Sequence, residues 1–153
     1  MYDELTQQDI DKMKEELDYR ITVVRADLHE KIMLAKEFGD LSENAEYHEA
    51  RRAKGRNESR IEYLQTMIKT AKIITHNQDN SIVGLGNTID VELDNGKVLT
   101  YQIETTVGQD ASNGKISKES PFGQAVFGHK VGDRVLVKVN ADFSYYVTIK
   151  AIK

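Results

Sequence analysis

The feature that most constrains this chain is a change of hydrophobic period partway along it. Apolar side chains first recur in steps of three and four, at Ile10, Met13, Leu17, Ile21, Val24, Leu28, Ile32, Ala35 and Phe38. The same steps return at Ile61, Leu64, Ile68, Ala71 and Ile74. Residues three and four apart share one face of a helix, so each set is a stripe. From Ser81 onward the period falls to two, as in "TIDVEL", where Ile89, Val91 and Leu93 alternate with polar neighbours. That is the spacing of a half-buried strand. Two periods in one chain predict helices first and a sheet second, in the α+β class.

Local signals divide the chain further. Thr6 and Asp9 have the spacing of a capping box before the first stripe, and Gly39 ends it. Asp40 and Glu43 repeat that spacing at the head of the second stripe, where Ala45, Ala50 and Ala53 are small. Two stripes separated by a short polar turn predict an antiparallel helical hairpin over 1–75, its free tip at 39–44. Helices of about 30 residues extend roughly 45 Å. Neither can bury its stripe alone, so they pack as a coiled coil. "HNQDNS" reads as a linker to a second unit at 81–153. There "DNG" at 94–96 predicts a hairpin turn with positive φ at both central positions. In "SPFGQAVFG", Ser120 suits an N-cap, Pro121 the first helical position and Gly128 the site past the end. The strands around this short helix form an antiparallel sheet.

Composition excludes several classes. Cysteine is absent from the 153 residues, which removes disulfide, thiolate-metal and thiol chemistry. No apolar run approaches the roughly 20 residues of a membrane span. The acidic start "MYDELTQQDIDKMKEELD" resembles no targeting segment. The expectation is a cytoplasmic protein without membrane contact. Net charge is −4, so any attraction for nucleic acid has to be local. It is concentrated at Arg51, Arg52, Lys54, Arg56 and Arg60, with Glu58 as the one acid between Arg51 and Arg60. Such a stretch serves either as the solvated flank of a coiled coil or as a phosphate-contacting surface for a single nucleic-acid strand.

The stretch "GDLSENAEYHEAR" sets Asp40, Glu43, Glu46 and Glu49 at three-residue intervals. Such steps drift around a helix, so only Asp40 and Glu43 can converge. One reading makes them caps, stabilised by free N–H groups and the dipole. The other makes them half of a divalent-metal site. Mg²⁺ takes oxygen ligands and needs only one or two protein carboxylates when water and phosphate fill the rest. No Ser/His/Asp set, Gly-rich phosphate loop or HExxH accompanies them, so an autonomous hydrolase is not expected, and His48 reads as a surface residue.

"GDLSENAEYHEARRAKGRNESRI" resembles the tip signature of the bacterial Gre transcript-cleavage factors, and "ISKESPFGQAVFGHKVGD" resembles the second signature of that family. The two occur in the family's order, and the resemblance spans nearly the whole chain. The resemblance implies an FKBP-like C-terminal domain and a coiled coil that enters the secondary channel of RNA polymerase. Asp40 and Glu43 would there help position the polymerase's second Mg²⁺, with no ion held tightly by the isolated protein. The polymerase's own site would then hydrolyse backtracked RNA. The resemblance further implies RNA contact by Arg51 and its basic neighbours, tip shaping by Asn44 and Tyr47, polymerase contact by Glu119, Ser120 and Pro121, and action as a monomer. A rival is a channel-occupying regulator that does not stimulate cleavage. A third reading, prolyl isomerisation, needs a concave pocket lined by rings such as Tyr101, Phe122, Phe127, Phe143, Tyr145 and Tyr146.

Overall fold

A computed structural model of the chain describes residues 3–40 and 42–153. Met1, Tyr2 and Leu41, the last within the expected tip, lie outside the described residues. The chain divides into two units, one built on Gln8–Lys72 and the other on Glu4–Gln7 with Ile73–Lys153.

The first unit is the helical hairpin. Helix α1 (Gln7–Tyr19) continues through one wide π-type turn, Arg20–Val24, into α2 (Arg25–Lys36). Helix α3 (Ala45–Thr70) returns beside them. Ile10, Met13, Leu28, Ile32 and Ala35 on the first arm and Ala50, Ile61, Leu64 and Met67 on α3 are buried, as helical spacing predicts. Other expected members of the first stripe are less buried. Ile21 and Val24 are only half-buried in the wide turn, and Phe38 is 74% exposed.

The middle of the seam is polar instead. Asn57 on α3 is buried; its Oδ1 accepts from Arg20 Nη1 at 3.1 Å and its Nδ2 donates to the Arg20 carbonyl at 3.4 Å. That carbonyl also accepts from the Arg25 N–H, five residues on. Next to it Glu16 receives Arg20 Nε at 2.7 Å and both Arg60 Nε at 2.8 Å and Arg60 Nη2 at 3.0 Å. The paired guanidiniums hold the Glu16 carboxyl down at about 2. Arg25 grips Glu58 with two bonds of 2.9 and 2.8 Å across the hairpin.

The second unit carries a five-stranded sheet in the order β5-β4-β3-β7-β6. The chain's first strand, β1 (Glu4–Leu5), belongs to this unit, and its Leu5 carbonyl accepts from the Ile74 N–H at 2.8 Å, just past β2 (Lys72–Ile73). Strands β3 (Thr88–Leu93), β4 (Val98–Glu104), β6 (Arg134–Lys138) and β7 (Ser144–Ile152) pair antiparallel. The expectation of an all-antiparallel sheet needs one correction: β5 (Lys115–Ser117) runs parallel to β4. The loop from Gly108 to Gly114 contains a 3₁₀ turn at Ala111–Asn113 and swings the chain back to allow that direction. Alternating Ile89, Val91, Val135, Val137, Val147 and Ile149 form the core under α4 (Pro121–Val126), which adds Phe122 and Val126.

Two turn expectations also change. At 94–96 no residue but Gly96 has positive φ, at 87°; the Gly96 N–H donates to the Leu93 carbonyl at 2.9 Å and the Leu93 N–H to Lys97 at 2.8 Å. The loop is therefore an ordinary turn followed by a glycine bulge, the usual three-residue hairpin. "HNQDNS" is not a plain linker. Asn77 Nδ2 donates to Asp79, Ile82 and Asn87 oxygens, and the buried Asn87 ties Gly84 and Asn80 to it.

Candidate functional site at the hairpin tip

Helix α2 ends at Lys36, Gly39 adopts φ 99°, and the chain crosses to α3 in a turn that includes Asp40, Ser42, Glu43 and Asn44. A side chain at Gly39 would be strained there, which is why the turn opens on glycine. The capping expectation is corrected by this geometry. Neither Asp40 nor Glu43 caps α3, because the helix begins only at Ala45 and its N-cap is Asn44. Asn44 Oδ1 accepts from the Tyr47 N–H at 3.0 Å, while Asn44 Nδ2 donates to the Ala35 carbonyl at 2.6 Å. One amide thus starts α3 and ties it to the last turn of α2.

Asp40 is held by its own neighbour. Its Oδ1 accepts from the Ser42 N–H at 3.0 Å and from the Ser42 hydroxyl at 2.8 Å. Those bonds favour the charged form and push the Asp40 carboxyl below its ordinary range, so it is ionised at neutral pH. Both bonds fall on one oxygen, which leaves Oδ2 for another ligand. Glu43 is exposed, and the two acids line one cavity of about 390 Å³ with Phe38, Asn44, Ala45 and Glu46. Among the described residues no group of three or more His, Asp or Glu side chains is arranged to hold a metal ion.

Tyr47 lies in the first turn of α3, with the Arg51 guanidinium 5.8 Å from its ring centroid. His48 lies beside it, its Nε2 3.4 Å from the Ser42 carbonyl.

The five cations of the basic stretch do not act alike. Arg60 is taken up by Glu16, and Arg56 and Arg52 meet Glu49 at 3.0 and 3.5 Å. Glu49 is lowered mainly by Arg56. Glu58 is bound to Arg25 rather than to its basic neighbours on α3. Arg51 and Lys54 form no salt bridge among the described residues, so they are the members best placed to meet a phosphate.

The third group of expected residues lies in the second unit. Ser120 is the N-cap of α4: its Oγ accepts from the Gly123 N–H at 3.0 Å and donates to the Ser117 carbonyl at 2.6 Å. Gly123 has no room for a side chain there, since a Cβ would stand 2.2 Å from that same carbonyl. Pro121 and Glu119 are exposed on either side. Tyr101 and Phe122 pack edge to face at 5.1 Å, Phe122 in the core and Tyr101 against it.

Sequence reasoning missed Ser42 as the partner of Asp40, although an Asp-x-Ser spacing is the mark of such a turn. It also missed Arg25, Glu16 and Arg20 as partners of α3. Spacing within one helix cannot reveal pairs made between two.

Comparison with known proteins agrees with the motifs. Residues 4–73 match the family described as transcription elongation factor, N-terminal, and residues 78–153 match transcription elongation factor, GreA/GreB, C-terminal. Transcription elongation factor GreA of Mesomycoplasma hyopneumoniae (strain 7448) is 41% identical over 141 residues, covering 92% of this chain and 88% of that protein. The factor of the same name from Acholeplasma laidlawii (strain PG-8A) is 39% identical over 150 residues, covering 97% and 95%. Among solved structures, Thermus aquaticus Gfh1 is 23% identical with a TM-score of 0.45, covering 99% of this chain and 97% of that one. Two family models in register, and relatives near 40% identity along almost the whole length, make this chain a member of the GreA/GreB family of transcription elongation factors.

Proposed function

We propose that this protein enters the secondary channel of RNA polymerase and stimulates Mg²⁺-dependent hydrolysis of backtracked RNA 3′ ends, supplying carboxylates rather than a complete active site. The observation that carries this reading is the division of labour at the tip. Asn44 caps α3, so Asp40 and Glu43 are not needed as caps and stay exposed as ligands.

The donor set fits magnesium. It consists of carboxylate oxygens only, one of them held ionised by Ser42, and two such groups suit an ion that keeps several waters. Two exposed carboxylates on a turn hold such an ion weakly on their own, and the polymerase's active site would complete its ligand set. Asp40 and Glu43, with ligands from the polymerase, would hold the ion, which would supply an activated water for attack on the phosphodiester. The chain's own contribution is positional. Ser42 fixes the Asp40 carboxylate, Asn44 fixes the turn against α2, and Glu43 offers a second ligand beside it. Arg51 and Lys54 meet the phosphates of the extruded strand, while Glu119 and Pro121 beside α4 contact the polymerase surface. The factor has no turnover without the polymerase and is expected to act as a monomer in the cytoplasm.

The test is RNA shortening in a reconstituted backtracked complex with Mg²⁺, comparing wild type with Asp40→Asn/Glu43→Gln. Loss of 3′-end cleavage with polymerase binding retained supports metal positioning. Equal activity would assign the acids to the turn alone, and binding without cleavage by either form would make this protein a channel-occupying regulator.

A further inference from the structure

Just behind the acids, on the same hairpin, lies an apolar groove of about 770 Å³ between the end of α2 and the start of α3. Its floor is Leu28, Ala35 and Ala50, all buried. Ala45, Ala50 and Ala53 are the reason it is open, because α3 presents methyl groups where a filled coiled coil presents larger side chains. Leu34 and Phe38 stand at its wall, 52% and 74% exposed, and Phe38 is the most exposed large apolar residue among those described. Phe38 also lines the cavity that holds Asp40 and Glu43, so the groove and the acidic site are continuous.

The rim carries Glu37 and Glu46, together with Glu49, which Arg52 and Arg56 meet; the one cation lining the groove, Lys31, is engaged by Asp27 at 3.3 Å. With Asp40 and Glu43 beyond Phe38, the charges at Glu37 and Glu46, unpaired among the described residues, favour a cation at this end of the groove. An apolar floor with an acidic rim complements a polypeptide segment that sets an apolar side chain beside lysine or arginine.

We infer that this groove seats such a segment, supplied by the polymerase, and that Leu34 and Phe38 are positioning residues that fix how far the tip carboxylates advance. The inference rests on the function proposed above and names the partner surface of that same tip. Seating a side chain there gives Phe38 a second face of contact and sets Asp40 and Glu43 at a defined depth.

The test joins affinity with crosslinking on the full chain. Leu34→Ser and Phe38→Ser, checked for unchanged helix content, are expected to weaken binding to core polymerase without nucleic acid by about tenfold, since truncating an apolar anchor in an interface costs on that order. Cleavage at saturating factor should stay below wild type, because the carboxylates no longer stop at a fixed depth; full recovery at saturation would overturn the positioning role. Glu46→Lys, at an exposed position, should weaken binding in the same direction and keeps the inference testable if the serine variants unfold. A photoreactive phenylalanine in place of Leu34 should crosslink to polypeptide both with and without RNA.

Unchanged affinity in all three variants, or crosslinking to RNA alone, overturns the inference; the latter would assign the groove to a nucleobase. If wild type binds polymerase and shortens RNA while the variants match it, only the groove assignment falls. If wild type does neither, the function itself fails and the groove assignment falls with it.

Discussion

The middle of the hairpin and its tip are built from the same kinds of residue and treat them in opposite ways. In the middle, Glu16 is enclosed by Arg20 and Arg60 and Glu58 by Arg25, so acids there join two helices. At the tip, Asp40 is bound to Ser42 within its own turn, and Glu43 is exposed. Burial explains the difference. A partly buried carboxylate has to be paired, whereas one in water can remain available to a partner. Acids that the fold does not consume are therefore the ones to test for function.

The largest effect on stability belongs to the middle. Glu16→Gln removes the charge that both arginines share and should lower unfolding free energy by about 2 kcal/mol in urea titration. Asp40→Asn in the same experiment should leave the midpoint where it is. Equal shifts from the two substitutions would break the contrast.

The next effect is pH-linked. The Glu16 carboxyl is lowered from 4.5 to about 2 in the folded protein. A folded-state value below the unfolded one means that the stabilisation is present above 4.5 and is lost as pH falls toward 2. Solvent screening of a side chain 32% exposed reduces the loss to about 1–2 kcal/mol. Denaturant midpoints across that window should show it, and Glu16→Gln should flatten the slope.

Asn44→Ala removes the cap and the bond to Ala35 together and should lower stability by about 1 kcal/mol. Because it also frees the turn, it should reduce RNA cleavage more than its small stability loss explains. Smallest of all is Arg56→Ala, whose partner Glu49 is exposed and still faces Arg52; thermal melting should not register it.

How much of this was legible in the sequence follows from the range of each interaction. Stripes such as Ile61, Leu64 and alternations such as Ile89, Val91 depend on neighbours along one element, and the periods expose them directly. The Ser120–Pro121 helix start is equally local. Spacing alone assigned the α3 cap to Asp40 because Asp and Asn both suit that position. The choice of Asn44 depends on a carbonyl, that of Ala35, which only the folded turn brings within reach. The polar seam at Asn57 was hidden for the same reason, since its partner Arg20 is 37 residues away. The parallel strand β5 was hidden by its brevity: three residues carry too little alternation to stand out from a loop.

The wide turn at Arg20–Val24 sets a phase for everything beyond it. A regular helix turns about 100° per residue, and a turn that takes in one additional residue offsets all later side chains against the earlier ones by an angle of that order. Leu28, Leu34 and Phe38 face where they do because of that offset, and so does the turn that carries Asp40. Deleting Thr22 would restore a uniform helix and rotate the tip by nearly a third of a revolution about its own axis. The aim of the carboxylates is thus a matter of counting, settled about four turns of helix before they occur.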